Sequence, residues 1–470
     1  MTFKSAAILI GSLCVLIVVV SPAVALDGML GIHDPSTVII CDGQYYVYGT
    51  GRGVPMLTSS DGFTWRRLGS VFTQVPPEVQ AVVPKHTGSG VWAPDIVKVK
   101  DQYFLYYAIS SWGQFVSAIG LMTNTTLDPA SPKYKWVDGG LIVNSTEGED
   151  LNAIDPGVCH APDGTLWLSY GSYHGKIDLV QLDPDTGKRI APNSPVSIIA
   201  SHSEASDIIY HDGFYYLFVN HGSCCQGANS TYNIRVGRSA KITGPFLDRD
   251  GGDLANAAGT LFLESNGRQI GPGHFGRTME DGVEKFSCHF EADLDRGGRS
   301  VLAINPLLWT PDGWPASGEN VKDGTYQIRS KPTKSVLQVA KIDSAAKPSL
   351  LSAATTMPAD GTPTIIGRYL AQDHQKWKFA AAGGGFYTIT GVGSGKALEV
   401  TQARGVDIAT LTGADNQRWK VDQLSDGSYR LASKANHFVL TAIPGNESSS
   451  PVSLNEFTGN DAQHWIVAAP

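Results

Sequence analysis

The hydrophobic and polar positions of this chain follow two rhythms. In the first, an acidic turn precedes a short strand rich in aromatic residues. It recurs as Asp42-Gly43-Gln44-Tyr45-Tyr46-Val47-Tyr48, Asp101-Gln102-Tyr103-Phe104-Leu105-Tyr106-Tyr107, Asp163-Gly164-Thr165-Leu166-Trp167-Leu168 and Asp212-Gly213-Phe214-Tyr215-Tyr216-Leu217-Phe218. A weaker fifth copy is Asp281-Gly282-Val283-Glu284-Lys285-Phe286. Asp-Gly ahead of such a run is a hairpin signal. The copies lie 49 to 69 residues apart. That is too far for hairpins of one sheet but suits four-stranded blades joined by sizeable loops. With no long helical period in the first 315 residues, the pattern predicts an all-β five-bladed β-propeller over residues 27–318.

The second rhythm is Gln375-Lys376-Trp377, Gln417-Arg418-Trp419 and Gln463-His464-Trp465, with tryptophans 42 and 46 residues apart. Each unit follows a turn containing Asp373, Asp415 or Asp461. Three such units predict a threefold β-trefoil over residues 322–470. In it the Trp fills a shared core and the Gln hydrogen-bonds buried backbone, since buried polar groups need partners. Residues 316–323 are polar and read as a linker crossed by few contacts.

The first 25 residues carry a different pattern. Lys4 gives a positive start, residues 6–20 are mostly apolar, and Ala23-Val24-Ala25 is a small-residue cleavage site. This is a secretory signal, too short and too quickly followed by Pro22 to be a membrane anchor. The protein is expected to be secreted, to the periplasm or outside the cell. Cys14 leaves with the signal, so Cys41, Cys159, Cys224, Cys225 and Cys288 remain. An odd number without CxxC spacing points away from a zinc site and toward buried free thiols.

Composition adds little to the fold but narrows the partners. Charged residues make up 17% of the chain and the net charge is −8, which argues against nucleic acid or an anionic membrane. A neutral polymer stays open.

Three carboxylate motifs carry the candidate chemistry: His33-Asp34-Pro35-Ser36, Ile154-Asp155-Pro156-Gly157 and Ser203-Glu204-Ala205-Ser206. Each sits in a turn-like stretch near the start of a different predicted blade, so a propeller would direct Asp34, Asp155 and Glu204 at one central pit. Asp-Pro and Asp-Gly are also ordinary turn formers, yet three such motifs in separate blades favour a site. Cleavage of a glycosidic bond needs two carboxyl groups in different protonation states, and a third can tune them.

These motifs occur in series with Trp92-Ala93-Pro94-Asp95, Ser117-Ala118-Ile119-Gly120-Leu121, Ser223-Cys224-Cys225-Gln226-Gly227 and Gly271-Pro272-Gly273-His274. As an ordered set they resemble the endo-arabinanases of glycoside hydrolase family 43. Residues 322–470 resemble ricin B-type lectin domains. The resemblance implies Asp34 as general base, Glu204 as general acid and Asp155 as the group that raises the pKa of Glu204 and orients it. It implies an inverting reaction on plant cell-wall arabinan, the side chains of pectin. Trp92 and Phe115 become aromatic platforms for furanose rings, and Asn152 and Ser172 partners for sugar hydroxyls. His274 matches a histidine that holds a calcium ion largely through water. The family usually has Trp where this chain has His174.

The lectin-like half departs from its family. Where sugar-binding repeats place an early Asp, this chain reads Leu337-Gln338-Val339, Leu398-Glu399-Val400 and Val439-Leu440-Thr441, so only Glu399 keeps a carboxylate. Two other functions compete with the endo-arabinanase. One is an exo-acting α-L-arabinofuranosidase or β-xylosidase of the same family, and the other a non-catalytic carbohydrate-binding protein.

Overall fold

Each aromatic run becomes the second strand of a four-stranded antiparallel blade. In a computed structural model, residues 26–87, 90–191, 195–340, 357–443 and 450–470 are described; the expected signal segment lies outside them. The runs form Gln44–Tyr48, Gln102–Ile109, Leu166–Gly171, Phe214–His221 and Val283–Asp293. At Asp42-Gly43, Asp212-Gly213 and Asp281-Gly282 both turn residues have positive φ. That backbone matches the right-handed strand twist and explains the Asp-Gly choice.

The five blades follow chain order. Blade 1 comprises Ile39–Cys41, Gln44–Tyr48, Pro55–Ser59 and Thr64–Ser70, with Asp27–Gly28 added parallel to its last strand. Blade 2 runs from Val91–Val99 to Val137–Ser145, and blade 3 from Gly157–His160 to Ser197–Ser201. Blade 4 runs from Glu204–His211 to Thr260–Leu263, and blade 5 from Gln269–Glu280 to Pro315–Ser317. The ring closes between the N-terminal stretch and blade 5, where Gly31 bridges Val301 and Leu302 N–H donates to Leu30 O at 2.9 Å. Among the described residues no helix is long and apolar enough to cross a membrane.

The axis of the ring is tied by buried polar groups. Asp95 accepts N–H of Thr37 at 3.0 Å and of Val158 at 2.9 Å, linking blades 1, 2 and 3. Gly157 lies so close to blade 4 that a Cβ there would stand 1.9 Å from Ser206 O, so no larger residue fits.

The second rhythm builds the twelve-stranded sheet from Gly324–Ser330 to Trp465–Ala468, whose first and last strands pair. Trp377, Trp419 and Trp465 are fully buried in one core, and their indole N–H groups donate to Leu337 O, Leu398 O and Leu440 O at 2.9, 3.0 and 2.9 Å. Gln375 and Gln463 each accept one backbone N–H and Gln417 accepts two, and each of the three donates to one backbone carbonyl. Replacing one of these tryptophans by Ala would cost about 3–5 kcal/mol.

The polar seam corrects one expectation. Ala316 and Ser317 are not linker but pair with Leu308 and Leu307 as the outer strand of blade 5. The junction is also crossed by paired charges that are buried or partly buried. Asp422 meets Lys285 at 3.1 Å and Arg430 at 2.9 Å, while Lys420 meets Glu280 at 3.2 Å. Arg430 further donates to Asp281 O, Trp309 N–H donates to Ser425 O at 2.7 Å, and Phe63 of blade 1 packs on the trefoil core. A polar sequence at a boundary fits a solvated linker and a charge-paired interface equally well, and only folding decides between them.

Candidate active site

The sequence motifs mark one repeated backbone device. Asp34, Ala93, Asp155, Ala205 and His274 all have left-handed φ, between 41° and 56°, one in each blade at its inner edge. In blades 2, 4 and 5 the pairing register shifts at the same place, between Trp92 and Asp95, Glu204 and Asp207, and Gly273 and Gly276. Non-glycine residues seldom adopt this conformation, and such kinks re-aim side chains near functional sites. Here they turn Asp34, Asp155, Glu204 and His274 into one cleft.

Asp34 sits in a ring of imidazoles. Its Oδ1 lies 3.0 Å from His274 Nδ1 and 3.4 Å from His33 Nε2. Its N–H donates to Nδ1 of the buried His289 at 2.9 Å, and Thr50 Oγ1 donates to its Oδ2 at 2.5 Å. Thr50 is itself fixed by accepting Ala93 N–H at 2.8 Å. Burial opposes charge on Asp34, yet His33 and His274 hold its carboxyl well below the usual range. In return Asp34 lifts His33 to about 9. Asp34 is therefore a carboxylate at neutral pH.

Glu204 is in the opposite state. It is 7% exposed, and burial followed by the nearby charge of Asp155 pushes its carboxyl up to about 8. Tyr232 donates to its Oε1 at 2.7 Å and partly offsets that rise. Room for the phenol comes from Gly273, where a Cβ would stand 2.5 Å from the ring. Asp155, 8% exposed, accepts Ala205 N–H at 3.2 Å, which ties it to the backbone that carries Glu204. Burial raises Asp155 to about 6, against the pull of His274. The cleft thus holds one ionised and one protonated carboxyl near pH 7, with Asp155 between these extremes.

The cleft encloses about 520 Å³ and also takes in Trp92, Phe115, Asn152 and Ser172. Phe115 and Trp92 present aromatic surface, and Trp112, 77% exposed, meets Trp92 edge-on at 6.4 Å. His174 fills the position beside Phe115, 4.8 Å between rings, and touches Tyr173 at 3.9 Å. Asn152 and Ser172 are buried. The Asn152 side-chain oxygen accepts Ser117 Oγ–H at 2.5 Å, and Ser172 Oγ accepts His174 N–H at 3.4 Å.

Sequence reasoning missed Thr50, Trp112, Tyr173, Tyr232 and His289. For His289 there was little signal, because its strand Val283–Asp293 also carries Glu284, Lys285, Ser287, Glu291 and Asp293. Tyr232 had none, since it lies just before the strand Asn233–Ser239 of blade 4, 28 residues from Glu204.

Two further expectations meet the structure here. His274 lines the cleft, and its Nε2 is buried without a hydrogen-bond partner among the described residues. A buried, unpartnered imidazole nitrogen beside carboxylates suits a cation that takes its remaining ligands from water. The cysteines depart from the expected pattern of buried thiols. Cys41, Cys159 and Cys288 are buried, but Cys224 is half-buried and Cys225 exposed, and both line the cleft.

Both halves of the chain match known protein families. Residues 373–455 match a ricin-type β-trefoil lectin-like domain. An extracellular exo-α-(1→5)-L-arabinofuranosidase of Cellvibrio japonicus is 34% identical, covering 64% of this chain and 90% of that protein. An extracellular endo-α-(1→5)-L-arabinanase of Bacillus subtilis is 37% identical, covering 61% and 87%. The solved α-L-arabinanase of Cellvibrio cellulosa superposes with a TM-score of 0.59 at 33% identity, covering 62% of this chain and 96% of that one. Residues 30–315 match the glycosyl hydrolases family 43. Because that match runs through all five blades and includes Asp34, Asp155 and Glu204, the chain belongs to glycosyl hydrolases family 43.

Proposed function

We propose that the protein is a secreted, endo-acting hydrolase of α-1,5-linked L-arabinan. One observation carries the reading: a single cleft brings together a carboxylate held ionised, Asp34, and a carboxyl held protonated, Glu204. Glu204 donates its proton to the leaving glycosidic oxygen, while Asp34 takes a proton from the water that attacks the anomeric carbon from the opposite face. The product then has inverted configuration. Asp155 keeps Glu204 protonated by its charge, and Thr50 and His289 hold Asp34 in place. Trp92, Phe115 and the exposed Trp112 offer flat apolar faces to furanose rings. Asn152 and Ser172 supply polar atoms for hydroxyls.

His274 would hold a calcium ion with water completing the shell, and a bound cation would add positive charge beside Asp34. The trefoil would hold polysaccharide weakly, through Glu399. The apolar leader and the extracellular naming of the Cellvibrio and Bacillus relatives support secretion. Plant cell-wall arabinan is the substrate this implies.

The test is the product pattern from debranched arabinan, set beside turnover of an aryl arabinofuranoside. An endo-acting enzyme yields a ladder of oligosaccharides. The exo reading is favoured by the Cellvibrio japonicus relative, itself named an exo-arabinofuranosidase. It yields short products of one length from the start. Products whose anomeric configuration is retained would overturn the assignment of Asp34 as base.

A further inference from the structure

Beside the catalytic cleft, and touching it through Thr50, lies a second cavity of about 340 Å³. Among the described residues its lining includes Arg52 and Arg67 but no carboxylate. Both arginines are exposed, and neither guanidinium meets a hydrogen-bond or ion-pair partner among the described residues. They stand out in a chain whose net charge is −8. We propose that this cavity is a subsite for the carboxylate of a uronic acid residue, through which the enzyme holds arabinan still joined to an acidic polysaccharide.

The cavity opens where an edge strand loses its cover. The N-terminal strand Asp27–Gly28 pairs only with Thr64 and Trp65 of the strand Thr64–Ser70. The chain then crosses to blade 5, where Gly31 bridges Val301, and leaves Arg67 at the uncovered edge. A register shift after Met56 sets Arg67 opposite Leu57, and directly opposed residues share a face of the sheet. Arg67 is thereby aimed with Leu57 into the cavity.

Arg52 comes from a turn tied down on both sides. Gly51 exchanges hydrogen bonds with Val91 of blade 2 at 2.8 and 3.1 Å, and Phe72 N–H donates to Gly53 O at 3.2 Å. Ser70 Oγ donates to Arg52 O at 3.0 Å. At Gly53, with φ 69°, a Cβ would stand 1.9 Å from Phe72 O. The charge is thus presented by ordered backbone, and little further ordering is needed on binding.

A guanidinium stays charged at neutral pH and matches a carboxylate with two parallel N–H donors. Arabinan alone is neutral and has no charge for two such groups to meet. An inorganic anion would fill little of the space, which is about ten times the ~30 Å³ share of one liquid water. Ile32, Pro55 and Leu57 add apolar surface for the body of a sugar ring. Position supplies the link to catalysis. Thr50 Oγ1 touches Asp34 at 2.5 Å, and two residues of extended chain span at most about 7 Å. An acidic sugar at Arg52 is therefore within reach of the saccharide that fills the cleft.

The use of the cavity during hydrolysis rests on the arabinan reading, whereas uronate binding itself does not. Binding of trigalacturonate, arabinotriose and inorganic phosphate to the full chain is measured by isothermal titration calorimetry. Trigalacturonate should bind one to one and weaken as salt rises, because exposed charges are screened. Arg52→Ala and Arg67→Ala should each raise its Kd by about two- to fivefold, the scale of an exposed ion pair. Arg52→Lys should recover only part of that loss, since an ammonium lacks the planar fork. No binding of trigalacturonate, binding indifferent to both alanine substitutions, or phosphate bound as tightly as trigalacturonate would each overturn the proposal. On uronate-bearing pectic arabinan set against neutral debranched arabinan, the ratio of kcat/KM values should fall about tenfold in the double alanine variant, and an unaltered ratio would overturn the subsite role. Absence of hydrolysis on both substrates would instead sink the arabinan reading, while the calorimetry still decides the uronate site.

Discussion

The phenol of Tyr232 donates a hydrogen bond to Oε1 of Glu204 at 2.7 Å and counters the charge of Asp155 on the same carboxyl. Two neighbours thus push the proton affinity of Glu204 in opposite directions. Asp155 favours the acid and Tyr232 the anion.

That opposition predicts paired pH shifts. With Glu204 as the proposed general acid, the rate should fall as pH rises through about 8. Asp155→Asn removes a negative charge, makes ionisation easier and should move this alkaline limb to lower pH. Tyr232→Phe removes a donor to the anion and should move the limb to higher pH. The measurement is kcat/KM against pH for both variants. Limbs that move in the same direction would show that Tyr232 acts on substrate placement instead.

Loss of either principal carboxyl should be severe. Asp34→Ala and Glu204→Ala are each expected to lower turnover of arabinan by about 10²–10⁴-fold, with far-UV circular dichroism unchanged. On an aryl arabinofuranoside with a good leaving group, Glu204→Ala should recover because no proton is needed. Asp34→Ala should not, since its missing step is the activation of water. Retention of a tenth of wild-type arabinan turnover by either variant would refute the assignment.

The junction predicts a stability effect with no direct catalytic one. Asp422 is buried among Lys285, Lys420 and Arg430, and despite burial these cations hold its carboxyl well below the ordinary range. Asp422→Ala leaves the buried Arg430 and the partly buried Lys285 and Lys420 without their counter-charge and should cost about 3–5 kcal/mol. The expected readout is a lower urea midpoint at unchanged m-value, with kcat retained. The contribution of Asp422 should be complete above its unfolded pKa and be lost as pH falls toward the depressed folded value. A propeller ending after residue 320 should keep hydrolysing soluble arabinan but melt at a lower temperature than the full chain.

The trefoil prediction centres on the middle repeat. Glu399 Oε2 accepts Gln417 Nε2–H at 2.7 Å, where Gln338 and Thr441 meet Gln375 and Gln463 in the other repeats. Pull-down on insoluble arabinan should show weak retention of the isolated trefoil, removed by Glu399→Ala. Tight binding that survives the substitution would place the sugar in another repeat.

Much of this protein was legible from local pattern. The Asp-Gly turns and aromatic runs specified five blades because a hairpin is a short-range object, set by backbone twist and the alternation of faces. The Gln-x-Trp units specified the trefoil in the same way, each Trp and Gln serving its own repeat. Asp34, Asp155 and Glu204 were recognisable because each lies in a compact motif around a kinked residue. What tertiary structure alone decided is which distant groups meet. Closure of the ring brings His274 and His289 of blade 5 to Asp34 of blade 1, where His274 adds to the pull of the adjacent His33 that keeps Asp34 charged. It also gathers burial, Asp155 and Tyr232 around Glu204, which holds the proton. Polar residues after 316 looked like a free linker, yet Lys285 and Asp422 close that seam. Protonation and interface energies depend on burial and on charges a few ångströms away in space, and neither is encoded by spacing along the chain.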